Sequence, residues 1–524
     1  MLEIINFSKY YYEGYTLFLI WYYIQEVHMN KNYPEMIVKK SDGASESEKY
    51  LIQKCQNTFL SLWSYPNPYT ADKKAKELCD VLAVFGNHIF LFSDKYCRFD
   101  DNQKVEVAWN RWYKHAIDAG AKQLIGAERY IKQDKPIYLD AKHTQRFPLP
   151  IPNGNDVGIH RIIVARGIRR ACTDFYIGGH GSLIVNTTFI GSQHLLKIDK
   201  DGNSIKQDRN PIFTAGFIAD RDHYCHVFDD FTLDCIMDEL DTVSDFIDYL
   251  EQKERMVNAG KDIIASGEEE ILGRYLSIIE KDQHCIVTEQ EMHSYQCFEF
   301  SGFWDRYVHN PDRLTKVKEN EDSYIWDNLL ESAFRNMMAG TLRDMSHPDY
   351  QTQAIMFQRF AEPCRVERRE LARSFLGAYA SAIQTIDQNS TTPITFVRRI
   401  QLFARRDTLI TILWLHCPKD QPIEDYLAFR RRCLEAKILS LLPASRDSTY
   451  HIGIAKFLDT ERDNSEDFVY VNANDFPDGC DGIKDAQEYL ATYQSSLLGR
   501  AAKHINAKEY SDIVEAKDVP YPWQ

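Results

Sequence analysis

Asp80, Asp94 and Lys95 bracket two short apolar runs, Val81-Leu82-Ala83-Val84-Phe85 and Ile89-Phe90-Leu91-Phe92, joined by Gly86-Asn87-His88. Two such runs with a tight connection predict a β-hairpin whose strands are covered on both faces. A hairpin returns the chain on itself, so Asp80 at the start of the first strand and Ser93 to Lys95 at the end of the second lie side by side. Carboxylates gathered in this way can hold a hard Mg²⁺ or Mn²⁺ ion, which polarises a phosphate and lowers the pKa of an attacking water. A neighbouring lysine stabilises the charge that develops on the phosphorus oxygens or positions that water. The chemistry predicted is metal-dependent phosphodiester cleavage, with Asp80 and Asp94 as metal ligands, Lys95 as the charge-stabilising group, and Glu77 or Glu48 assisting.

The elements that must position these groups lie on either side. Tyr50, Leu51, Cys55, Phe59 and Leu62 recur at helical spacing after a polar stretch, and Ser45 or Ser47 is placed to cap that helix. Beyond the hairpin, Val105, Trp109, Trp112, Ala116, Ala119, Leu124, Ala127 and Tyr130 trace an apolar stripe that predicts one long amphipathic helix to Lys132. The order helix, hairpin, helix resembles the PD-(D/E)XK nuclease superfamily, in its nuclease-related and junction-resolvase-like branches. The resemblance covers roughly residues 44–132. It implies that Asp80 is the first metal-binding acid, Lys95 the motif lysine, Glu48 or Glu46 the accessory acid of the first helix, and Gln123 a glutamine near the site. It also implies Mg²⁺ or Mn²⁺ as cofactor and nucleic acid, DNA before RNA, as substrate. The motif departs from the family in one place. The acid expected at position 93 is Ser93, and the acid stands at 94. On a regular strand a one-residue shift turns Asp94 to the face away from Lys95. Three readings stay open: a bulge at Ser93 re-aims Asp94, Glu77 or Glu48 supplies the missing ligand, or the site is degenerate and serves only to bind.

Further strands are expected at 161–165, 182–187 and 212–218, and a patterned helix at 233–256. A boundary falls near Gly260. The second half reads as helix-rich, with helices at 324–342 and 350–386, a loop at 387–392 and a strand pair at 394–403 and 408–415. No internal repeat or heptad array is visible. The fold class is α+β, with an α/β restriction-endonuclease-like core in a domain of residues 44–260, a helix-rich domain of residues 261–524, and an N-terminal extension of residues 1–43. That extension contains an apolar run, Tyr15 to Ile24, about half the length that spans a bilayer, and Met29 is an alternative start.

Sixty-two Lys and Arg against 77 Asp and Glu give a net charge of −15, so contact with nucleic acid is local rather than spread over the whole surface. Residues 391–440 reverse the balance, with nine basic against five acidic residues, including Arg398, Arg399, Arg405, Arg406 and the triplet Arg430 to Arg432. Such a cluster suits phosphate, and the bland alternative is internal ion pairing on a solvated helix face. Gly178-Gly179-His180-Gly181 reads as a hairpin turn rather than a phosphate loop, because no helical pattern follows it. Twelve cysteines without a CxxC pair read as reduced thiols of a cytoplasmic protein, and His223-x-x-His226 as strand packing rather than a metal site. The absence of GxSxG, HExxH and Walker A patterns removes the usual support for hydrolase, zinc-protease and ATPase readings. A nuclease joined to a large second domain, which itself offers a surface for a protein partner, suits host defence or DNA repair in a microbe.

Overall fold

The computed structural model describes residues 38–501 and 513–515, apart from 178, 201, 204, 206–208, 282, 339–349, 387–392, 403–406, 421 and 446. The apolar run 15–24, the start at Met29 and the loop 387–392 lie outside the described residues, as do Arg405 and Arg406. The fold is α+β.

Helix α1 (Glu46–Trp63) starts where the Ser45 side chain accepts the backbone N–H of Glu48, and acids in its first turn suit the positive end of the helix dipole. Its apolar stripe buries Leu51, Cys55 and Phe59. Strand β1 (Ser64–Pro66) follows, then β2 (Val81–Phe85) and β3 (His88–Tyr96) in an antiparallel hairpin running from Val81 opposite Phe92 to Phe85 opposite His88. The connection is the two residues Gly86-Asn87, and Gly86 has φ 56°, a left-handed conformation that glycine adopts without a Cβ penalty. Phe59 of α1 packs on Phe90 and Phe92 at ring-centroid distances of 4.7 and 5.9 Å, fixing the even-numbered face of β3 against the helix. Each such aromatic side chain, fully buried, stabilises the fold by about 1.5–3 kcal/mol.

The expected long helix forms, interrupted by one π-helical turn at Lys114–Asp118 between α2 (Val105–Tyr113) and α3 (Ala119–Ile131). Helix α3 lies on the opposite face of the hairpin from α1. It approaches the sheet so closely at Gly120 that a Cβ there would sit 3.0 Å from Ile163. The chain returns in β4 (Gly158–Arg166), parallel to β3, and β7 (His226–Phe228) joins the far side, giving the sheet order β1-β2-β3-β4-β7. Between them come β5 (Ile184–Ile190) and β6 (Thr214–Phe217). The glycine-rich segment before β5 leads from a short helix, Arg169–Phe175, so it is not a hairpin turn.

The helix expected over 233–256 is two helices, α4 (Thr232–Glu239) and α5 (Val243–Asn258), with the Thr242 side chain capping the second. Strand β8 (Asp262–Ala265) then pairs antiparallel with β5 and parallel with β9 (Cys297–Phe300), in the order β9-β8-β5-β6, with α6 (Glu268–Ser277) between β8 and β9. This corrects the boundary near Gly260, which would cut a sheet in two. Helix α7 (Tyr324–Met338) is followed by α8 (Tyr350–Ala361) and α9 (Arg365–Thr385), which the sequence pattern had merged across Pro363. Arg365 and Arg368 are buried, and both donate to Asp327 of α7, each at 2.7 Å.

The last region holds more sheet than its helix-rich sequence suggests. Strands β10 (Ile394–Gln401) and β11 (Thr408–His416) form the expected antiparallel pair. Helix α10 (Leu427–Leu439), β12 (Tyr450–Phe457), β13 (Glu466–Asn472), α11 (Asp481–Ala501) and β14 (Ile513–Glu515) complete a five-stranded sheet in the order β13-β12-β11-β10-β14. Among the described residues, no helix is long and apolar enough to cross a membrane.

Candidate functional site

The hairpin does bring Asp80 and Lys95 together. Asp80 immediately precedes β2 and is 6% exposed. Its backbone N–H donates to the carbonyl of Phe92, the residue that also faces Val81, at 2.9 Å. That bond holds Asp80 at the open end of the hairpin, beside the segment Ser93 to Lys95. The Lys95 Nζ donates to Asp80 Oδ2 at 3.3 Å, and the backbone N–H of Asp94 reaches the same oxygen at 2.5 Å. Glu77, three residues before, lies near enough for the two carboxyl groups to influence each other's ionisation. Burial pushes the Asp80 carboxyl above its usual range, against the pull of the Lys95 ammonium. Partial burial, together with the nearby Asp80 charge, raises Glu77 as well. Two neighbouring carboxyl groups do not both ionise freely, so they favour a proton or a cation between them.

Asp94 does not belong to this group, which corrects its assignment as a metal ligand beside Asp80. The strand is regular at this point: Ser93, Asp94, Lys95 and Tyr96 pair in unbroken register with Ile163, Val164, Ala165 and Arg166 of β4. Without a bulge the Asp94 side chain takes the α1 face, opposite Lys95. There its Oδ1 accepts from Arg166 Nε at 2.8 Å, in an ion pair whose two side chains are 10% and 1% exposed. The Arg166 guanidinium stacks 5.2 Å from the Tyr50 ring centroid.

Ser93 is fully buried and donates from Oγ to Gln123 Oε1 of α3 at 2.8 Å. Gln123 therefore does stand at the site, occupied with the residue that replaces the expected acid. Glu48 sits in the first turn of α1, where its Oε2 accepts the Ala44 backbone N–H at 2.7 Å and faces the Asn67 amide at 3.5 Å. Glu46 instead pairs with Lys49 in solvent, at 2.8 Å. Asn67 and Arg166 were missed by sequence reasoning. The first had a visible signal, an asparagine between Pro66 and Pro68, and the second, at the end of an expected strand, had none that distinguishes it from any strand-terminal arginine.

Of the basic cluster of the last region, Arg398, Arg399, Arg430 and Arg431 are buried or partly buried, Arg432 is exposed, and Arg405 and Arg406 lie outside the described residues. Arg398 donates to the Ser374 carbonyl at 3.1 Å, and Arg399 is 7% exposed. Arg430 is buried on Asp467 at 2.6 Å, while Arg431 and Arg432 face Glu435. His226, set aside as strand packing, is buried in β7, where its Nε2 meets Glu254 Oε1 at 3.0 Å. The same oxygen meets His160 Nδ1 at 2.9 Å, and His160 Nε2 faces His88 Nδ1 at 3.1 Å. The last two rings are nearly coplanar, at 12°, with centroids 5.4 Å apart, so their nitrogens meet head-on as in a hydrogen bond, leaving no room for an ion between them. Among the described residues, no three His, Cys, Asp or Glu side chains form a ready-made metal cage.

Compared with protein-family models, with curated proteins and with solved structures, the chain matches none.

Proposed function

We propose that the chain is a metal-dependent nuclease, related to the PD-(D/E)XK group, that hydrolyses phosphodiester bonds of DNA and less readily of RNA. The observation that carries this reading is the pairing of the Asp80 carboxyl with the Lys95 ammonium at 3.3 Å, with the Glu77 carboxyl nearby, at the end of a hairpin held between two helices. The order helix, hairpin, helix supports the resemblance drawn from the sequence, and because the regular strand turns Asp94 away, this reading takes Glu77 as the second ligand. Asp80 and Glu77 would hold Mg²⁺ or Mn²⁺, with Glu48 as the accessory acid. The ion supplies charge neutralisation at the phosphate and a more acidic bound water. Lys95 is placed to meet the negative charge of the scissile phosphate, and its partial exposure leaves it reachable from solvent.

The test is cleavage of labelled DNA by the purified chain with Mg²⁺ or Mn²⁺ and with excess EDTA. Cleavage is expected with metal and not with EDTA, and equal cleavage in both would remove the metal mechanism. A second reading, a catalytically degenerate module that binds nucleic acid or a partner protein, is favoured by one observation. Ser93 occupies the acidic position and is tied to Gln123. Nucleic-acid binding without cleavage under any divalent ion would select it.

A further inference from the structure

Helices α2 and α3, with the π-helical turn between them, show solvent a basic face. Arg111, Lys114, His115, Lys122 and Arg129 are exposed, while Trp109, Trp112, Ala116 and Leu124 of the opposite side are buried. Their spacing sets them in one row along the helix. The acid in that row is Asp118, and Lys122 already holds it at 2.7 Å. Arg111, Lys114 and Arg129 have no side-chain hydrogen bond or ion pair among the described residues. Residues 111–135 carry six Lys and Arg against three Asp and Glu, in a chain whose net charge is −15. Arginines elsewhere in the chain meet carboxylates, as Arg166 does Asp94 and Arg365 does Asp241. Cations aligned and left unpaired in an acidic protein are complementary to an anion that comes from outside.

Two contacts fix how the row lies against the candidate site. Trp112 Nε1 donates to the Cys97 carbonyl at 2.7 Å, and Gln123 Oε1 accepts from Ser93 Oγ at 2.8 Å. The helix therefore runs antiparallel to the end of β3, and Lys95, between Ser93 and Cys97, falls at the level of the middle of the row. At 1.5 Å per residue the row from Arg111 to Arg129 is about 27 Å long. A straight row of that length suits a duplex, which carries one phosphate charge per ~1.7 Å of its axis. The row includes no Phe, Tyr or Trp on which an unpaired base could stack, as a groove for single strands would.

We propose that this face of α2 and α3 is the docking surface for the phosphate backbone of duplex DNA, an inference that rests on the nuclease reading above. Arg111, Lys114, Lys122 and Arg129 meet phosphates, which position the duplex without reading its sequence. The docked backbone then passes the strand end that carries Lys95.

Binding of a labelled duplex of about 20 base pairs to the full chain is followed by fluorescence anisotropy in EDTA, over roughly 50 to 200 mM NaCl. Replacing Arg111, Lys114 and Arg129 together by Gln is expected to lower the slope of log affinity against log salt by about 2.7, because each duplex phosphate contact contributes about 0.9. Across that salt range the wild type should then lose about 40-fold more affinity than the variant. Arg129→Gln alone should lower the slope by about 0.9. Circular dichroism melts should match the wild type, since the replaced side chains are exposed. A control replaces Lys318, Arg335 and Lys484, exposed cations on three other helices, by Gln; it changes net charge equally and should keep the wild-type slope. A wild-type slope in the first triple variant, an equal fall in the control, or no duplex binding by the wild type overturns the docking surface. A fall confined to a single-stranded probe overturns the duplex as its occupant. None of these outcomes decides the nuclease reading, which falls separately if the wild type binds the duplex with the expected slope and cleaves it with neither Mg²⁺ nor Mn²⁺.

Discussion

Two regions of the molecule follow one order of elements and differ in what stands at the strand ends. From α1 to β4, and again from α9 to β12, the chain runs through a helix, an antiparallel hairpin, helix and a strand parallel to the second hairpin strand. In the first, the residue before the hairpin is Asp80, and Lys95 stands three residues past Phe92, the last residue paired with the first hairpin strand. In the second, extending the pairing of Ile394 with His416 puts Pro393 across from Cys417, with Lys419 two residues further. The lysine recurs and the acid does not. The buried charges Arg430 and Lys456 of the second region are taken up in its own packing, on Asp467 and Glu466. A shared topology thus builds the same ledge twice, and only the side chains placed on it decide whether a cation has anything to bind.

The largest expected effect tests the structural half of this contrast. Lys456 and Glu466 are 6% and 4% exposed and 3.0 Å apart. Lys456→Ala leaves Glu466 buried without its cation and should cost roughly 3–5 kcal/mol of stability, read from urea denaturation. The folded fraction should cleave DNA as fast as the wild type. A drop in rate at unchanged stability would place chemistry in the second region and break the comparison.

Next comes Asp80→Ala, expected to lower metal-dependent cleavage by at least ~10²–10³-fold, as loss of a central electrostatic group does. Its thermal melt should stay near that of the wild type, since a carboxyl held above its usual range is under strain that its removal relaxes. A variant that fails to fold would return Asp80 to a structural role.

How much of this could be read from the sequence depends on how local the determining forces are. The hairpin, its flanking helices and the Asp80–Lys95 face were legible because period-two and period-three-to-four apolar patterns and the Gly86-Asn87 turn fix them within a few residues. The facing of Asp94 was legible only as alternatives. A bulge depends on the neighbouring strand, and β4 lies over sixty residues downstream. Strands β12 and β13 were missed, and with them the second sheet-and-helix unit, because β12 is a continuous buried run without the alternation that separates strand from helix, and β13 alternates only over its last few residues. The arginines misled for a related reason: Arg430 looks like surface charge until Asp467, from a strand not foreseen, is found beside it.

A smaller effect sharpens the contrast inside the first region. Asp94→Asn removes the charge from a buried pair yet leaves an oxygen for Arg166 Nε, so about 1–2 kcal/mol of stability should be lost, with cleavage unchanged. Ser93→Glu puts an acid on the Lys95 face and tests the two functional readings directly. No gain in metal-dependent cleavage is expected from a working site in which Glu77 already serves. A gain from an inactive wild type would show that the site is degenerate and that the first region, like the second, only binds.

The smallest effect asks whether a raised carboxyl by itself marks a site. Glu269 of α6 is 2% exposed, and burial, reinforced by the Asp229 charge, pushes its carboxyl up to about 8. It resembles Asp80 in this respect but has no lysine beside it, and its Oε1 accepts from the buried Ser182 hydroxyl at 2.8 Å. In the unfolded chain the same group ionises near 4.5, so between these values the folded state holds the extra proton. The stability linked to Glu269 is therefore fully present below the unfolded value and is lost as pH rises through about 8. The slope this group adds cannot exceed about 1.4 kcal/mol per pH unit. Glu269→Gln keeps an oxygen for Ser182 and cannot ionise, so its stability should fall less between pH 5 and pH 8 than that of the wild type, with metal-dependent cleavage untouched. Urea denaturation across that range decides it. Parallel stability curves would mean that Glu269 is already charged in the folded protein. A loss of cleavage in Glu269→Gln would mean that buried acids outside the hairpin belong to the chemistry, and that the difference between the two regions is not confined to their strand ends.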